Sequence, residues 1–406
     1  MRSPLGADGW TITVAVARVF LFATFMTIAA AIPVLRESWG LSAAEAGSIV
    51  TSFTISYAVS LFGFAWVADH IGAKRAVAIS ALASALASAL FGFLARDYWS
   101  ALVLYGLVGA AQGGVYTPLI MLFAERNSVE RRGSAMGWLI ASTSVGYAAS
   151  LVLSGLGLRI GGIPAAFIAT GLAPSVGTLI LLAALRGVEN RVHSRDGKPG
   201  LVAQMVHNLD ARRLILGYTA HTYELLGMWA WMPAFLAASF ALDGLGTGAA
   251  TQSSAWFSAA MHIVGASAAF SMGRASDVLG RKRVLVGVAA LSAILSLSIG
   301  FAIALPTLVL VAIGFVYGFA CIGDSPVLST ALTEAVDPAY LGAVLAVRSL
   351  VGFGAGAVSP LVFGAVLDIA GAAGAGPSLT WGAAFVALGI GGVVATVMAA
   401  RLKGIA

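Results

Sequence analysis

Charge and cysteine are both scarce in this chain of 406 residues. Charged residues make up 10% of the chain, whereas soluble proteins average about 25%. The single cysteine, Cys321, excludes a disulfide within the chain. Walker loops, metal-ligand clusters and nucleophile–base arrangements are absent from the sequence. We therefore predict no cofactor, no metal site and no enzymatic activity.

Long apolar runs fill most of the sequence, and the mean hydropathy is +0.95. A bilayer core of roughly 30 Å needs about 20 apolar residues in one helix. The runs predict twelve spans, at 11–33, 44–68, 75–95, 99–124, 134–158, 162–186, 212–238, 252–273, 283–304, 306–332, 341–367 and 378–400. The predicted fold class is an all-α membrane protein with twelve transmembrane helices in a lipid bilayer.

The basic residues predict the orientation of these spans. Both termini and the one long polar stretch fall on the same side, which receives nearly all Lys and Arg. The other side receives only Arg36, Arg96 and Arg159, and two further arginines lie inside spans. By the positive-inside rule, both termini face the cytoplasm, so the net charge of +6 is a topology signal and no nucleic-acid partner is expected. The first span is too long for a cleavable signal core, so we expect no signal peptide and a location in the cytoplasmic (inner) membrane.

Two charged hairpins occupy equivalent places in the two halves of the chain. Asp69 and Asp277 are 208 positions apart, and each follows an apolar run and lies three residues before a glycine. A polar stretch with the sequence Gly-Lys-Pro-Gly lies between the halves. This spacing predicts two parallel repeats: a six-helix bundle over 1–186, a cytoplasmic linker over 187–211 and a second six-helix bundle over 212–406.

The hairpins resemble the signature loop G-x-x-x-D-x-x-G-R-[KR] of the major facilitator superfamily. The second copy is complete from Gly273 to Lys282, whereas the first has Ala65 and Ala73 in place of the leading Gly and the first basic residue. The resemblance covers the whole chain in topology, repeat and loop position. It implies a secondary transporter that works by alternating access, with helices 1, 4, 7 and 10 lining a central cavity. It does not specify the substrate.

A carboxylate in such a hairpin can pair with basic residues of the hairpin or of the next helix. A half-solvated pair is easily broken and can stabilise one of two packings of the halves. The alternative is that these charges only fix the topology. The predicted cytoplasmic gate comprises Asp69, Lys74, Arg75, Asp277, Arg281 and Lys282.

Several polar residues fall deep inside the spans expected to line the cavity. Charges at that depth are costly and normally face a partner or a watery cavity. The candidate residues for substrate binding and coupling are Arg18, Tyr105, Gln112, Tyr116, Tyr218, His221, Glu224, Asp324 and Arg348. The alternative is a buried ion pair that locks helices together, in which Arg18 is neutralised by Glu224 or Asp324.

The sequence favours a secondary transporter for a small-molecule solute, and we expect it to be a monomer. Arg18 suggests a small organic or inorganic anion, and Glu224, or else Asp324, suggests protons as the coupling ion. One alternative is an efflux antiporter for hydrophobic or cationic compounds, although the Gly-Pro motif of such carriers is missing at Gly146–Tyr147. Another is a transport-inactive receptor, which would be expected to carry a signalling domain beyond these short tails.

Overall fold

The computed structural model describes residues 8–126, 129–192, 208–337 and 341–403. Regular structure in these residues is entirely helical, and ten of the helices are long and apolar enough to cross a membrane. The predicted all-α membrane class is confirmed.

The helices of the described residues follow the predicted spans closely. Those of the first half are α1 (Gly9–Leu21), α2 (Thr27–Trp39), α3 (Ala43–Ile71), α4 (Ala73–Leu94), α5 (Tyr98–Gln112), α6 (Thr117–Arg126) and α7 (Val129–Leu185). Those of the second half are α8 (Leu209–Leu242), α9 (Thr247–Leu279), α10 (Arg281–Ile299), α11 (Thr307–Ala335), α12 (Leu341–Ala372) and α13 (Pro377–Ala400).

The first predicted span is interrupted between α1 and α2, so the prediction of one continuous helix is wrong there. The Tyr105 hydroxyl lies 3.1 Å from the carbonyl oxygen of Thr24 and 2.6 Å from that of Phe25. Gln112 Nε2 donates to the carbonyl oxygen of Leu21 over 2.7 Å. The interruption is tolerated in an apolar setting because these side chains take the place of the missing helical N–H donors.

The fourth span is also interrupted, by a short 3-10 segment over Gly113–Val115 between α5 and α6. The prediction of one regular helix is therefore wrong at this point too. A Cβ on Gly113 would lie 2.3 Å from the main-chain carbon of Ser60, and one on Gly114 would lie 2.4 Å from Ser80 Cβ. The paired glycines let the chain approach its neighbours more closely than a regular helix with side chains would allow. Predicted spans 5 and 6 run together in α7, with the helical geometry broken at Gly161 and Gly162.

Each charged hairpin turns on a glycine with positive φ. Gly72 has φ +90° before α4, and Gly280 has φ +89° before α10. Side chains are strongly disfavoured in this conformation. The equivalent geometry explains why a glycine follows each Asp at the same spacing, and it supports the parallel repeat at the level of the backbone.

Contacts divide the chain into two compact units. Unit 1 comprises Met1–Ala31 and Ser52–Asp196, and unit 2 comprises Ile32–Thr51 and Gly197–Ala406. Residues 32–51 therefore group with the second half. The bundle and linker boundaries of 1–186, 187–211 and 212–406 stay a prediction.

One carboxylate holds residues 32–51 within unit 2. Asp368 of α12 accepts hydrogen bonds from the N–H groups of Ala43, over 2.8 Å, and Ala44, over 2.7 Å, at the start of α3. A Cβ on Gly364 would lie 2.2 Å from the carbonyl oxygen of Ala43, so glycine permits this close packing. The first N–H groups of a helix have no partner within it, and Asp368 supplies two acceptors at once.

Candidate functional site

Arg18 lies on α1 and is completely buried, with 0% of its surface exposed. Its Nη2 donates to Thr143 Oγ1 over 2.7 Å. The guanidinium carbon lies 5.0 Å from the ring centre of Phe22 and 5.5 Å from that of Tyr116. Nε and Nη1 have no hydrogen-bond partner, and no carboxylate among the described residues of unit 1 forms an ion pair with Arg18. The charge is therefore oriented but not neutralised.

An aromatic cluster surrounds this arginine. The ring of Tyr147 stacks on Phe25 at 4.2 Å and meets Phe22 edge-on at 5.8 Å, and Tyr57 meets Phe25 edge-on at 6.0 Å. Aromatic faces attract a cation and offset part of its desolvation. They cannot accept the hydrogen bonds that Nε and Nη1 would otherwise make with water. The arrangement leaves strong donors available to an anionic group.

The predicted residues of span 4 have two different environments. Tyr116 is half-buried and lies beside Arg18. Tyr105 and Gln112 are fully buried and bond to the carbonyl groups at the interruption between α1 and α2. Their observed contacts are structural, and a role in the transport cavity stays a prediction.

Glu224 lies on α8 in the interior of unit 2, with 2% of its surface exposed. Its Oε1 accepts hydrogen bonds from Ser292 Oγ over 2.9 Å and from the Tyr317 hydroxyl over 3.1 Å. Its Oε2 lies 2.6 Å from the position that a Cβ on Gly392 would occupy. Glu224 thus joins α8 to α10 and α11 and fills space beside α13. No cationic side chain among the described residues forms an ion pair with it.

The spacing of Tyr218, His221 and Glu224 at intervals of three in span 7 predicts that the first two residues relay or tune a proton on Glu224. The hydrogen bonds of Glu224 go instead to Ser292 and Tyr317. The Tyr317 hydroxyl also lies 2.9 Å from Ser296 Oγ, which extends the network along α10. Ser292 and Ser296 were missed as site residues, although two serines four residues apart in an apolar span share one helical face and are a usable signal.

His221 pairs with Asp324 within unit 2. The distance from His221 Nδ1 to Asp324 Oδ1 is 2.9 Å, although the two atoms lack the alignment of a hydrogen bond. His221 Nε2 lies 2.8 Å from Ser325 Oγ. Both His221 and Asp324 are buried. The structure therefore gives Asp324 a histidine partner on α8, within its own unit.

Arg348 projects from α12 against Tyr218 of α8. The guanidinium carbon lies 4.1 Å from the centre of the Tyr218 ring, and Nη1 donates to Ser329 Oγ over 3.0 Å. One turn along α12, a Cβ on Gly352 would lie 2.5 Å from Tyr218 Cε1, so the absence of a side chain there makes room for the ring. Arg348 Nε has no hydrogen-bond partner.

The second hairpin contains an ion-pair network at the start of α10. Arg281 pairs with Asp277, four residues earlier, and its Nη2 lies 3.0 Å from Glu334 Oε1 at the end of α11. Glu334 was missed by the sequence reasoning, although an acidic residue at the same end of the tenth span was a visible signal. Lys282 does not join this network through its Nζ, which donates to the carbonyl oxygen of Leu402 over 2.7 Å.

The first hairpin is arranged differently because Ala73 stands where the second has Arg281. Lys74 Nζ donates to the carbonyl oxygen of Val188 over 2.7 Å. The N–H of Arg75 lies 3.3 Å from Asn190 Oδ1, and Asp69 is half-buried at the end of α3. The predicted gate role of Asp69, Lys74 and Arg75 stays a prediction.

Comparisons with known proteins identify the family. The family model described as Major Facilitator Superfamily matches residues 14–261. The chain is 30% identical over 112 residues to the "Probable sulfoacetate transporter" of Cupriavidus necator, which covers 28% of this chain and 26% of that protein. It is 23% identical over 350 residues to "Probable anion transporter 4, chloroplastic" of Arabidopsis thaliana, which covers 80% and 60% respectively. The chain thus spans about a quarter to three fifths of the length of these relatives.

A solved structure is similar in fold to nearly the whole chain. The inward-facing, unoccupied bacterial homolog of the human lysosomal transporter Spinster superposes with a TM-score of 0.72 at 16% identity, over 97% of this chain and 95% of that one. At this identity the likeness shows the fold alone, but it covers both halves of the chain. With a family model that matches more than half of its residues, the chain belongs to the Major Facilitator Superfamily and is a multi-pass membrane transporter rather than an enzyme.

Proposed function

We propose that the protein is a secondary transporter of small organic or inorganic anions and that Arg18 binds the anionic group. The observation that carries this proposal is the completely buried guanidinium whose Nε and Nη1 have no partner. A buried charge without a counter-charge costs several kcal/mol. A bound anion would remove this cost by supplying both the opposite charge and the missing acceptors.

The contacts in unit 2 support the same substrate class. Asp324 lies against His221, and Glu224 accepts hydrogen bonds from two hydroxyl groups. Each acidic side chain thus has partners within its own unit, so neither is needed to neutralise Arg18. The names of two relatives, a sulfoacetate transporter and an anion transporter, also refer to negatively charged solutes.

Protons are the proposed coupling ion, with Glu224 as the coupling site. A buried carboxylate that lacks a cation offsets its burial either by accepting hydrogen bonds or by taking up a proton. Among the described residues, the donors to Glu224 contact only Oε1, from Ser292 and Tyr317, and this arrangement leaves Oε2 as the atom to carry a proton. Asp324 is the second choice, because its Oδ1 already lies 2.9 Å from His221 Nδ1.

The remaining assignments follow the sequence. We expect the protein to work as a monomer in the cytoplasmic membrane. The distribution of Lys and Arg favours a cytoplasmic location of both termini. The cytoplasmic gate includes the network of Asp277, Arg281 and Glu334. This network is partly exposed, with Asp277 at 61% side-chain exposure, so it can break and re-form during transport.

The anion assignment is tested by binding to the purified protein. Arg18→Gln should weaken anion binding about 10- to 100-fold, as expected for the loss of charge-assisted hydrogen bonds. Arg18→Lys, which keeps the charge but has a compact head group, should fall between. Arg96→Gln, at an exposed loop arginine, is the matched control and should bind like the wild type. Binding of organic cations but not of anions by the wild type would overturn the proposal in favour of an efflux antiporter.

A further inference from the structure

We infer that Arg348 forms a second oxyanion site, on a face of unit 2 made by Arg348, Tyr218 and Ser329. This inference rests on the proposed anion function and deepens it. It assigns to the transporter a second positively charged contact for carboxylate, sulfonate or phosphate groups, carried by α12.

Two contacts fix the orientation of the Arg348 guanidinium. The guanidinium carbon lies 4.1 Å from the centre of the Tyr218 ring, and Ser329 Oγ accepts from Nη1 over 3.0 Å. An arginine that merely extends to reach water needs neither contact. Gly352 makes room for the Tyr218 ring, because a side chain there would collide with it. The ring and the guanidinium are therefore positioned by the backbone of α12 itself.

These contacts leave one edge of the Arg348 guanidinium without a hydrogen-bond acceptor among the described residues. Nη1 is occupied by Ser329, and Nε has no hydrogen-bond partner. Nε and Nη2 form one edge of the guanidinium, with two N–H bonds that point in the same direction. Such an edge matches two oxygen atoms of a carboxylate, sulfonate or phosphate. Arg348 as a whole is half-buried, and its Nε is shielded from water.

The charge of Arg348 is not compensated by an acidic side chain among the described residues. No carboxylate among the described residues forms an ion pair with Arg348, although Asp324 lies on the helix that carries Ser329. Asp324 contacts His221 at 2.9 Å instead. His221 is held from its other side by Ser325 at 2.8 Å, and Ser329 Oγ donates to the carbonyl oxygen of Ser325 over 2.8 Å. Asp324 thus contacts His221 and forms no ion pair with Arg348, and the face keeps its positive charge.

The site is tested by thermal unfolding of the purified, delipidated protein in a non-ionic detergent. The probes are sodium sulfate, phosphate and succinate, compared with sodium chloride at equal ionic strength. A ligand that binds only the folded state raises the unfolding temperature, and at a fixed concentration the rise grows with the logarithm of its affinity. Wild type should respond to an oxyanion. Arg18→Gln should retain a smaller response, and Arg348→Gln in the Arg18→Gln background should abolish it.

The single variants separate this site from the proposed function. Arg348→Gln should lower the affinity for the responding anion about 10-fold, and Arg348→Lys should recover only part of it, because lysine lacks the planar edge. If Arg18→Gln alone removes the whole response and Arg348→Gln changes nothing, the second site is wrong and the anion function stands. If Arg18→Gln has no effect while Arg348→Gln removes the response, the role of Arg18 is wrong instead. No response in the wild type would overturn both.

A second measurement leaves Arg348 intact. In a Cys321→Ala background, Ser329→Cys places a thiol beside the guanidinium. Sulfate or phosphate should slow its reaction with N-ethylmaleimide, whereas chloride at equal ionic strength should not. Equal labelling rates would count against the site. Protection by vesicles with anionic lipid, without protection by the soluble anions, would identify a lipid contact and overturn the proposal.

Discussion

Lys74 and Lys282, which are 208 positions apart, make the same contact in their respective units. Lys74 Nζ donates to the carbonyl oxygen of Val188 over 2.7 Å, just beyond the end of α7. Lys282 Nζ donates to that of Leu402 over 2.7 Å, just beyond the end of α13. The C-terminal end of a helix has unpaired carbonyl groups and a partial negative charge, which favour a cation. Each lysine therefore ties its hairpin to the last helix of its own unit.

Removal of this contact should affect stability more than transport. Lys282→Met should lower the free energy of unfolding by about 1 kcal/mol, as expected for one hydrogen bond from a charged donor. Lys282→Arg should retain most of it. Thermal unfolding in detergent and uptake by reconstituted vesicles measure the two properties. Slower uptake at unchanged stability would instead support the predicted gate role of Lys282.

Asp277 and Glu334 should act together through Arg281. Asp277→Asn and Glu334→Gln should each slow turnover about two- to fivefold, because each removes a half-exposed ion pair that contributes up to about 1 kcal/mol. Affinity for the substrate at equilibrium should change little, since neither residue belongs to the proposed binding sites.

The double variant of Asp277 and Glu334 tests whether the two ion pairs with Arg281 act as one unit. Relative to the wild type, the turnover of the double variant should exceed the product of the relative turnovers of the two single variants, because both carboxylates contact the same guanidinium. Independent, strictly multiplicative effects would show that Arg281 does not link them, and unchanged turnover in all three variants would leave only a topological role.

Glu224 should separate proton coupling from substrate exchange. Glu224→Gln imitates the protonated form, so it should abolish accumulation driven by a proton gradient while counterflow continues. Ser292→Ala is the matched control, since it removes one donor to Oε1 but keeps the carboxyl group. Continued uphill accumulation by Glu224→Gln would remove Glu224 as the coupling site and bring Asp324 forward.

Gly392 should be intolerant of any side chain. In Gly392→Ala the new Cβ would lie 2.6 Å from Glu224 Oε2 and 2.9 Å from Ala293 Cα. Overpacking of this kind typically costs about 1–3 kcal/mol of stability. Gly287→Ala on α10 is the control, because its Cβ would have no neighbour within 4 Å and alanine favours a helix. Similar unfolding temperatures for the two variants would contradict the observed packing around Glu224.

The predicted orientation of the protein in the membrane can be tested by chemical labelling. In a Cys321→Ala background, a cysteine in place of Arg283 should react with an impermeant thiol reagent only from the cytoplasmic side. A cysteine in place of Asp243 should react only from the outside. Both positions lie at helix ends and are exposed, so failure to react from either side would not be due to burial. The reversed labelling pattern would show that the predicted topology is wrong and that the orientation in the membrane is the opposite one.

The sequence predicted the membrane class, most helix ends and the two hairpins, because these depend on local patterns of apolar, basic and glycine residues. It could not predict the interruption at Thr24 and Phe25. That feature depends on Tyr105, which lies about eighty residues away and supplies the missing hydrogen bonds. The surrounding residues are as apolar as those of an unbroken span.

The environment of Glu224 was beyond prediction for a different reason. Its depth in the membrane follows from its position along α8, but its direction depends on how α8 is rotated against its neighbours. The partners Ser292 and Tyr317 belong to other helices. Depth alone therefore identified a notable carboxylate but not its hydrogen-bond partners, and the proton relay through Tyr218 and His221 stays a prediction.

The hydrogen bonds of Asp368 have a consequence for the two halves as separate polypeptides. Ala43 and Ala44 belong by sequence to the first half, yet their N–H groups are satisfied by a carboxylate from the second. A fragment that ends in the linker would expose these donors at the start of α3. Co-expression of the two fragments should therefore restore protease resistance at residues 41–47, and Asp368→Ala in the second fragment should weaken that rescue.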